Sequence, residues 1–410
     1  MKMEPITGLI GAEEALHRLL REIEPVDRFE VVPLSHALGR VAAEEVRAPR
    51  PVPAFRRATW DGYAVRSRDL KAASPKHPVP LRLVGEIHAE ESYPHPLGSG
   101  ETVAIATGAP LPIRADAVVL FEEVKVHGAE VLFRHPADPG ESVAQPGEDF
   151  RQGERILSPG EFLTPPRLGA LGAVGRRTVR VRARPKVALV PNGNELLPPG
   201  APLTPGKIHE FNNFTLGALI EAAGGIPILY PPVPDDPPRI REVLEEALRR
   251  ADLVIATGGS SVGERDFLPR IFPSLGRMLF RGIRVRPGKP TLAAKVRGKV
   301  LLGMPGHPTS CLSNGYWLLW PVLRKLAGLT GTGMGRTEAR LSRPYEPPTE
   351  GFTAILPVRL ERGWAIPTYR GSSAIHSLTG AHGYAVVRPG RRELPRGSRL
   401  VVHLFPPPLA

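Results

Sequence analysis

The sequence predicts a multidomain protein of the α/β plus β class, with a doubly wound α/β domain at the centre of the chain. Three observations lead to this prediction. The 410 residues exceed what one ordinary hydrophobic core organises. Between residues 181 and 330, apolar runs of strand length alternate with helical patterns. Both flanks instead carry short β-type runs separated by Pro and Gly, and the 48 prolines of the chain exclude a long helical bundle.

The changes of pattern divide the chain into four predicted domains. Residues 1–50 and 143–180 form an N-terminal mixed α/β domain, because each stretch combines a helical pattern with short β-type or irregular segments. Residues 51–142 form an inserted small β domain, since their apolar runs are short and bounded by turn residues. Residues 181–330 form the central α/β domain, and residues 336–410 form a C-terminal β-barrel domain with turns at glycines.

Individual elements follow from the spacing of the apolar residues. A helix is predicted over 238–250, because Ile240, Val243 and Leu244 fall on one face while Glu245 and Glu246 fall on the other. The other predicted helices are 12–23, 166–174, 213–223 and 309–326. The predicted strands are 29–33, 40–46, 81–87, 102–106, 117–121, 124–126, 131–133, 186–190, 227–233, 252–257 and 299–304. In the central domain, the alternation of strand and helix predicts a parallel sheet.

Composition and charge exclude several classes of protein. No window approaches the roughly 18 consecutive apolar residues of a membrane span, and residues 1–11 lack the apolar core of a secretory signal, so we expect a cytoplasmic protein with no membrane association. The single cysteine, Cys311, lies in an apolar run that favours a buried structural thiol over a nucleophile. The formal charge of +13 suits an anionic ligand. Because the basic residues are spread along the chain, we expect a solvated basic surface and no nucleic-acid binding.

Three predicted strand ends of the central domain run into loops of small residues, at 190–195 (VPNGNE), 257–264 (TGGSSVGE) and 304–310 (MPGHPTS). In an open parallel sheet, the carboxyl ends of the strands line a ligand crevice. Glycine lets backbone N–H groups approach an anion, hydroxyls add donors, and a helix N-terminus after Pro308 favours phosphate. Each loop alone could be an ordinary tight turn, but three at successive strand ends favour a phosphate site. The candidate substrate-binding residues of these loops are Gly258, Gly259, Ser260, Ser261, Pro305, Gly306, His307, Pro308, Thr309 and Ser310.

Charged residues close to these loops suggest a metal ion and an oxyanion. Acidic side chains at a phosphate site suit Mg²⁺, which binds carboxylates together with substrate phosphates. The candidate metal ligands are Glu195, Asp235, Asp236 and Asp266. Asp235 and Asp236 precede Pro237, so a turn and a helix cap are an alternative role for this pair. Arg286 and Lys289 follow, and their cations suit an oxyanion substrate or developing negative charge.

Several short motifs occur in the order of one known family. They are WDGYAV at 60–65, TGAPLP at 107–112, ADAVV at 115–119, GED at 147–149, GGSSVGERD at 258–266, PGKP at 287–290 and MPGHP at 304–308. With this order the chain resembles, over nearly its whole length, the molybdenum insertases of the MoeA and gephyrin E-domain family. Several independent matches in sequence order make the resemblance specific.

The resemblance implies four domains, a homodimer, and an active site between the α/β domain of one subunit and parts of the other. It implies transfer of molybdate into adenylyl-molybdopterin with release of AMP, assisted by Mg²⁺. The pterin and the oxyanion are then the small-molecule partners, and other cofactor-biosynthesis proteins are further candidate partners. Positions that the family uses at or beside the site are occupied by Asp61, Thr107, Glu195, Asp266, Lys289 and Ser372. The expected catalytic residues are Asp61, Glu195, Asp266, Arg286 and Lys289, while Thr107 and Ser372 join the substrate-binding set.

Some motif positions differ from the family. Arg56 replaces the carboxylate of the family's FDNSAM segment, residues 192–196 read NGNEL in place of a TGDEL-like motif, and His307 stands in an LPGNP-like motif. Arg286 stands where the family usually has Lys, and a family arginine has no certain match after Phe352. These differences leave two alternatives open, namely a non-catalytic molybdopterin-binding scaffold paralogue and an adenylyltransferase acting on molybdopterin. The adenylyltransferases of this pathway resemble the α/β domain but lack the flanking β domains.

Overall fold

The structure, a computed structural model, describes residues 8–259, 266–329, 331, 333–347 and 350–406. It begins with helix α1 (Ala12–Glu22), followed by strands β1 (Phe29–Pro33) and β2 (Val46–Arg47). The helix buries Ala12, Ala15 and Leu19, which is the face that the spacing of apolar residues over 12–23 predicts. These side chains join the apolar cluster on one face of the central sheet. The first helix therefore packs on the α/β part of the chain.

A six-stranded sheet occupies most of residues 57–144. The elements of this region in chain order are β3 (Arg57–Ala58), β4 (Gly62–Val65), β5 (Val79–Ile87), β6 (Glu101–Ile105), β7 (Ala117–Leu120), β8 (Val124–His127), β9 (Glu130–Phe133) and β10 (Val143–Ala144). Strands β4 to β9 form the sheet, and β3 and β10 form a separate short pair. The order in the sheet is β7-β4-β6-β5-β9-β8, and β3 pairs with β10. One apolar cluster lies on each face of the sheet. The predicted strands of this region are confirmed, whereas β4, which carries the DGYAV motif, was not among them.

The chain then returns to its N-terminal part. The returning elements are β11 (Arg155–Leu157), helix α2 (Pro165–Ala173) and β12 (Thr178–Arg182). Strand β12 is antiparallel to β1, with Phe29 opposite Arg182, and β11 is antiparallel to β2. Val32, Leu157 and Val179 lie in a shared apolar cluster. The two stretches on either side of the inserted sheet thus pack together, while the domain boundaries themselves remain a prediction.

The central part of the chain contains a second six-stranded sheet. Its elements in chain order are β13 (Lys186–Pro191), β14 (Leu196–Leu197), β15 (Ile208–His209), α3 (Asn212–Ala222), β16 (Ile226–Leu229), α4 (Pro237–Arg250), β17 (Leu253–Thr257), α5 (Leu268–Leu275), β18 (Arg277–Arg281), β19 (Val285–Arg286), β20 (Leu292–Val296), β21 (Lys299–Met304), α6 (Pro308–Asn314) and α7 (Trp320–Leu326). The sheet order is β16-β13-β17-β21-β20-β18, and β14 and β15 pair separately. Helices cover both faces, so the doubly wound α/β domain is confirmed.

The central sheet is mixed, which corrects the expectation of a purely parallel sheet. Strands β16, β13, β17 and β21 are parallel, but β20 and β18 are antiparallel to their neighbours. Sequence patterns missed β18 and β20 because charged residues interrupt their short apolar runs. The predicted helix 309–326 also differs, since a π-type turn at Gly315–Leu319 separates α6 from α7.

Residues 336–404 form a closed five-stranded β-barrel, as expected. Its elements are β22 (Arg336–Leu341), β23 (Thr353–Glu361), β24 (Trp364–Pro367), the short helix α8 (His376–Thr379), β25 (Gly383–Val387) and β26 (Arg399–Leu404). The order β23-β24-β22-β26-β25 closes through the pairing of β25 with β23. Strand β19 of the central region pairs in parallel with β23. The barrel is therefore joined to the α/β part by main-chain hydrogen bonds.

Two further expectations concern Cys311 and membranes. Cys311 is completely buried, and burial raises the pKa of its thiol, so its assignment as a core residue is confirmed. The longest helix, α4, has 14 residues. Within the described part of the chain, no helix combines the length and apolar character that crossing a bilayer needs.

An ion pair connects the N-terminal segment to the central sheet. Nη1 and Nη2 of Arg28 donate to Oδ1 and Oδ2 of Asp252, each at 2.8 Å. The backbone N–H of Lys186 also donates to Oδ2 of Asp252 at 2.8 Å. Burial opposes ionisation of Asp252, but these hydrogen bonds outweigh it and lower the pKa of its carboxyl. A lowered carboxyl pKa stabilises the fold above the unfolded-state pKa, and the contribution disappears as the pH falls.

We expect Asp252→Asn to reduce the free energy of unfolding by about 1 kcal/mol at pH 7, because Arg28 is partly exposed and solvent screens the pair. The difference from wild type should shrink below about pH 4, where this carboxyl begins to bind a proton in the unfolded wild-type chain, while in the folded state its pKa is lowered. Urea titrations at several pH values would measure it. Glu242→Gln, which breaks an exposed pair with Arg239 on α4, is the control and should change stability little. A difference that persists undiminished to pH 2.5 would contradict the ion-pair explanation.

Candidate functional site

The carboxyl ends of β13, β17 and β21 meet at one edge of the central sheet. A hollow of about 750 Å³ opens there, which we call the main cleft. The residues that border it include Asn192, Glu195, Glu210, Asn212, Gly258, Gly259, Asp266, Pro290, Pro305, Gly306, His307, Pro308 and Ser373. All three loops predicted from the sequence therefore contribute to one cleft. Ser260 and Ser261 of the second loop lie outside the described residues.

Close backbone contact explains the glycines of these loops. Gly258 has φ +88°, and a Cβ at this position would lie 2.2 Å from the carbonyl oxygen of Asn192. A Cβ on Gly306 would lie 3.3 Å from Cα of Gly258. The N–H of Asn192 donates to the Thr257 carbonyl at 2.8 Å, which continues the strand pairing to the loop. The absence of a side chain at 258 is thus a condition for this contact with Asn192, and glycine at 306 avoids a tight contact with the second loop.

A second hollow of about 390 Å³ lies beside the main cleft, and we call it the acidic hollow. Three of the four predicted metal ligands, Glu195, Asp235 and Asp266, border it. The fourth, Asp236, occupies the N-cap position of α4 and is not among the bordering residues that the structure describes. In the described chain, no three His, Cys, Asp or Glu side chains form a ready-made metal site. The acidic groups are gathered, but they are not arranged as a complete coordination shell.

Asn194 and Lys207 organise the acidic hollow. The N–H of Asn194 donates to Oδ2 of Asp235 at 3.3 Å, and the N–H of Asp235 donates to Oδ1 of Asn194 at 3.1 Å. Lys207 borders the hollow and donates through Nζ to the carbonyl of Asn194. This pair of reciprocal hydrogen bonds holds the loop after β13 against the segment that leads into α4.

The C-terminal domain contacts the third loop. The N–H of Thr309 donates to the Ser372 carbonyl at 3.0 Å, and its hydroxyl donates to the Ala374 carbonyl at 2.6 Å. The Ser372 hydroxyl lies 3.3 Å from Nδ1 of His307. Thr309, which was predicted to bind substrate, therefore has both its N–H and its hydroxyl bonded to the barrel domain. The predicted residue Ser372 is not among the described residues that border the main cleft, whereas its neighbour Ser373 is. Ser310 is buried and is not among the described residues that border the main cleft.

The basic residue Arg286 directly precedes the turn 287–290, and Lys289 lies within it. Asn314 supports this turn, because its amide donates to the carbonyl of Gly288 at 3.1 Å and to Oγ1 of Thr291 at 2.6 Å. The guanidinium of Arg286 lies over the ring of Phe352, 5.4 Å from the ring centre. Of this turn, Pro290 borders the main cleft, whereas neither cationic side chain is among the bordering residues described. Arg286 lies at the seam between the central sheet and the barrel, because β19 pairs with β23.

Asp61 and Thr107 belong to the inserted β sheet. The N–H and the hydroxyl of Thr107 donate to Oδ1 of Asp61 at 2.7 and 2.8 Å. The N–H bond, followed by the hydroxyl bond, lowers the pKa of the Asp61 carboxyl, so this exposed group is ionised at neutral pH. Among the described residues, neither Asp61 nor Thr107 borders the main cleft or the acidic hollow. Within one chain, the structure thus pairs these two residues with each other but not with the rest of the predicted site.

Two residues that border the main cleft, Glu210 and Asn212, were not among those predicted from the sequence. Glu210 is 4% exposed, and burial raises the pKa of its carboxyl against the lowering effect of two backbone N–H groups at the start of α3. One of these is the N–H of Asn213, which donates at 3.0 Å. The amide of Asn212 donates to the Gly306 carbonyl at 2.9 Å. A signal was available, since an acidic residue two positions before a polar helix start can accept hydrogen bonds from the free N–H groups of the first turn.

Comparison with known families defines the class of protein. Residues 188–325 match a family described as the probable molybdopterin binding domain. Residues 10–175 match the MoeA N-terminal region, comprising its domains I and II, and residues 338–405 match the MoeA C-terminal region, its domain IV. The order of these matches is that of the MoeA architecture, with the molybdopterin-binding type of α/β domain at the centre.

Individual relatives agree with this class. The chain is 31% identical to a Bacillus subtilis protein named molybdopterin molybdenumtransferase, with 97% of this chain and 94% of that protein covered. A protein of the same name from Nostoc sp. is 32% identical over 79% of this chain and 76% of its own length. A crystal structure of the molybdopterin biosynthesis protein MoeA from Pyrococcus horikoshii superposes with a TM-score of 0.85 at 30% identity, covering 97% of this chain and 100% of that one. The chain belongs to the molybdopterin molybdenumtransferase (MoeA) family.

The close approach of the loops predicts an unequal effect of two glycine substitutions. Gly200 has φ +87° and open space around it, so Gly200→Ala should lower the free energy of unfolding by about 1 kcal/mol through backbone strain alone. Gly258→Ala adds a Cβ against the Asn192 carbonyl at the same φ, and it should cost roughly 2 kcal/mol more. Chemical denaturation of both variants measures the difference. Equal losses would show that the strand ends can separate without penalty.

Proposed function

We propose that this protein acts in molybdenum cofactor biosynthesis as a molybdenum insertase, which transfers molybdenum from molybdate into adenylyl-molybdopterin and releases AMP. The observation that carries the proposal is the meeting of three glycine-containing strand ends with Glu195, Asp235 and Asp266 at one edge of a molybdopterin-binding type of domain. Backbone N–H groups at such strand ends favour phosphate, and the carboxylates favour a divalent cation beside it. An adenylylated pterin phosphate supplies the phosphate groups that both features require.

Mg²⁺ fits the acidic hollow. Glu195 and Asp266 border both hollows, and Asp235 borders the acidic one, so these carboxylates would hold the ion. A small number of carboxylates without a complete protein cage is the donor set that Mg²⁺ uses when substrate phosphates complete its shell. When bound, the ion would neutralise charge on the phosphoanhydride. The chain's own part is to place the carboxylates, and the Asn194–Asp235 hydrogen bonds do this.

Molybdate is assigned to the cations of the turn 287–290. Arg286 directly precedes this turn and Lys289 lies within it, and the buried Asn314 fixes its backbone. A tetrahedral dianion suits both an ammonium and a guanidinium, although the planar guanidinium of Arg286 grips an oxyanion through a fork of donors. In this arrangement the oxyanion enters from the seam with the barrel, while the phosphates rest on the loops of the main cleft.

A homodimer is part of the proposal. Asp61 and Thr107 hydrogen-bond to each other on the inserted sheet, away from the residues that border the two hollows in the described chain. If these residues act on the substrate, the inserted sheet of a second subunit brings them to it. The exposure and ionisation of Asp61 suit a group that meets its partner from another chain.

A second candidate function is a scaffold that binds the pterin without turnover. The amides Asn192 and Asn194, together with His307, favour it, because they occupy motif positions in the loops that border the cleft. An adenylyltransferase is less well supported, since both flanking regions match the MoeA N-terminal and C-terminal regions.

The two functions differ in the release of AMP. Adenylyl-molybdopterin, molybdate and Mg²⁺ are mixed with the protein, and AMP is quantified by chromatography over time. We expect release that depends on both molybdate and Mg²⁺. Tight ligand binding with no AMP above the protein-free control would reject the insertase and favour the scaffold.

Glu195→Gln tests the metal assignment. Removing the negative charge while keeping the shape should reduce Mg²⁺-dependent AMP release at least about tenfold, the loss typical of altered metal surroundings. Excess Mg²⁺ should restore part of the rate, because the weakened site then fills by mass action. Glu242→Gln, an exposed carboxamide substitution on α4, is the matched control and should keep the wild-type rate. An unchanged Mg²⁺ dependence in Glu195→Gln would remove this residue from the metal set.

A further inference from the structure

Asn192 occupies a special place in the site. It directly follows β13, and its N–H donates to the Thr257 carbonyl at 2.8 Å. The residue is 1% exposed. It is among the residues that border both the main cleft and the acidic hollow, together with Glu195, Gly259 and Asp266.

The amide of Asn192 is unsatisfied. In the described part of the chain, neither Nδ2 nor Oδ1 has a hydrogen-bond partner, and both atoms are buried. A buried polar group without a partner costs about 1–3 kcal/mol, so folded proteins rarely keep one without a use. Two other buried asparagines of this domain differ, since Nδ2 of Asn213 donates to the Tyr230 carbonyl at 2.9 Å and Asn314 is bonded through both amide atoms. A third, Asn212, lacks a partner only at Oδ1, because its Nδ2 donates to the Gly306 carbonyl.

The amide lies against the glycine turn. A Cβ at Gly259, whose φ is +54°, would lie 2.5 Å from Nδ2 of Asn192. The missing side chain therefore leaves the amide directly next to the backbone on which the proposed function places a phosphate. The neighbouring charges on the acidic hollow, Glu195, Asp235 and Asp266, repel an anion unless a cation or neutral donors offset them. An amide N–H is such a neutral donor.

We propose that Asn192 is a ligand-binding residue whose Nδ2–H donates to a phosphoryl oxygen of the bound nucleotide or pterin phosphate. The proposal rests on the proposed function for the position of the phosphate, but it does not require turnover. It explains why an uncompensated amide persists at the border of both hollows. A hydrogen bond to a charged oxygen is worth more than one between neutral groups, so its loss should be visible in affinity.

The test uses Asn192→Leu, which has nearly the same shape and no polar atoms. We expect the affinity for AMP, measured by calorimetry with Mg²⁺, to fall at least about tenfold, the effect of one charge-assisted hydrogen bond. Adenosine, which lacks the phosphate, should bind the variant and the wild type equally. The melting temperature of the variant should stay level or rise, because an unpaired buried amide has been removed.

Asn213→Leu is the matched control. It removes a buried amide that is already paired inside the fold, so its melting temperature should fall. If Asn192→Leu does not fold, Asn192→Ala serves with the same expected loss of AMP affinity. Three outcomes overturn the proposal. The first is equal AMP affinity in wild type and variant, and the second is an equal loss of affinity for AMP and adenosine in the variant. The third is wild-type protein that binds AMP no better than adenosine. If the wild-type protein releases no AMP but Asn192→Leu still weakens AMP binding, only the insertase function is rejected.

Discussion

The site depends on the close contact of three strand ends at the edge of the central sheet. The carbonyl of Asn192 leaves no room for a side chain at Gly258, and a Cβ at Gly306 would make a tight contact with Cα of Gly258. This contact sets where the main cleft and the acidic hollow lie, because both are bordered by the loops that leave these strands. Every other part of the site is positioned relative to it. The paired strands supply rigidity, and the loops supply the chemistry.

The C-terminal barrel completes the site through two connections to the central domain. Strand β19 adds to barrel strand β23, with Arg286 opposite Ala354, and the backbone of 372–374 bonds to Thr309 at the start of α6. Since β19 leads directly into the turn that carries Lys289, a shift of the barrel would move the cations of the proposed oxyanion site. The barrel therefore acts as a support for the turn as well as a wall of the cleft. This coupling gives a physical reason for the same chain to keep both domains.

The sequence predicted the fold well where local patterns dominate. Helix α4 buries the predicted face with Ile240 and Val243, and the three small-residue loops come to one cleft as strand topology requires. Patterns failed at β18 and β20, where charges interrupt short apolar runs and the sheet becomes antiparallel. They also missed Glu210: the local pattern before α3 indicates a helix cap, but the burial of this carboxyl is set by tertiary packing. The reciprocal contact of Asn194 and Asp235 joins residues 41 positions apart, so no local pattern could reveal it.

That contact also bears on the amide at position 194, where the family motif has an aspartate. Oδ1 of Asn194 accepts the Asp235 N–H, while Oδ2 of Asp235 accepts the Asn194 N–H. A carboxylate at 194 would stand close to the charge of Asp235 and add to the repulsion among the acids of the hollow. The amide keeps the same acceptor geometry without that charge. The substitution therefore preserves the placement of Asp235 and reduces the negative charge of the hollow, so it is compatible with the proposed cation site.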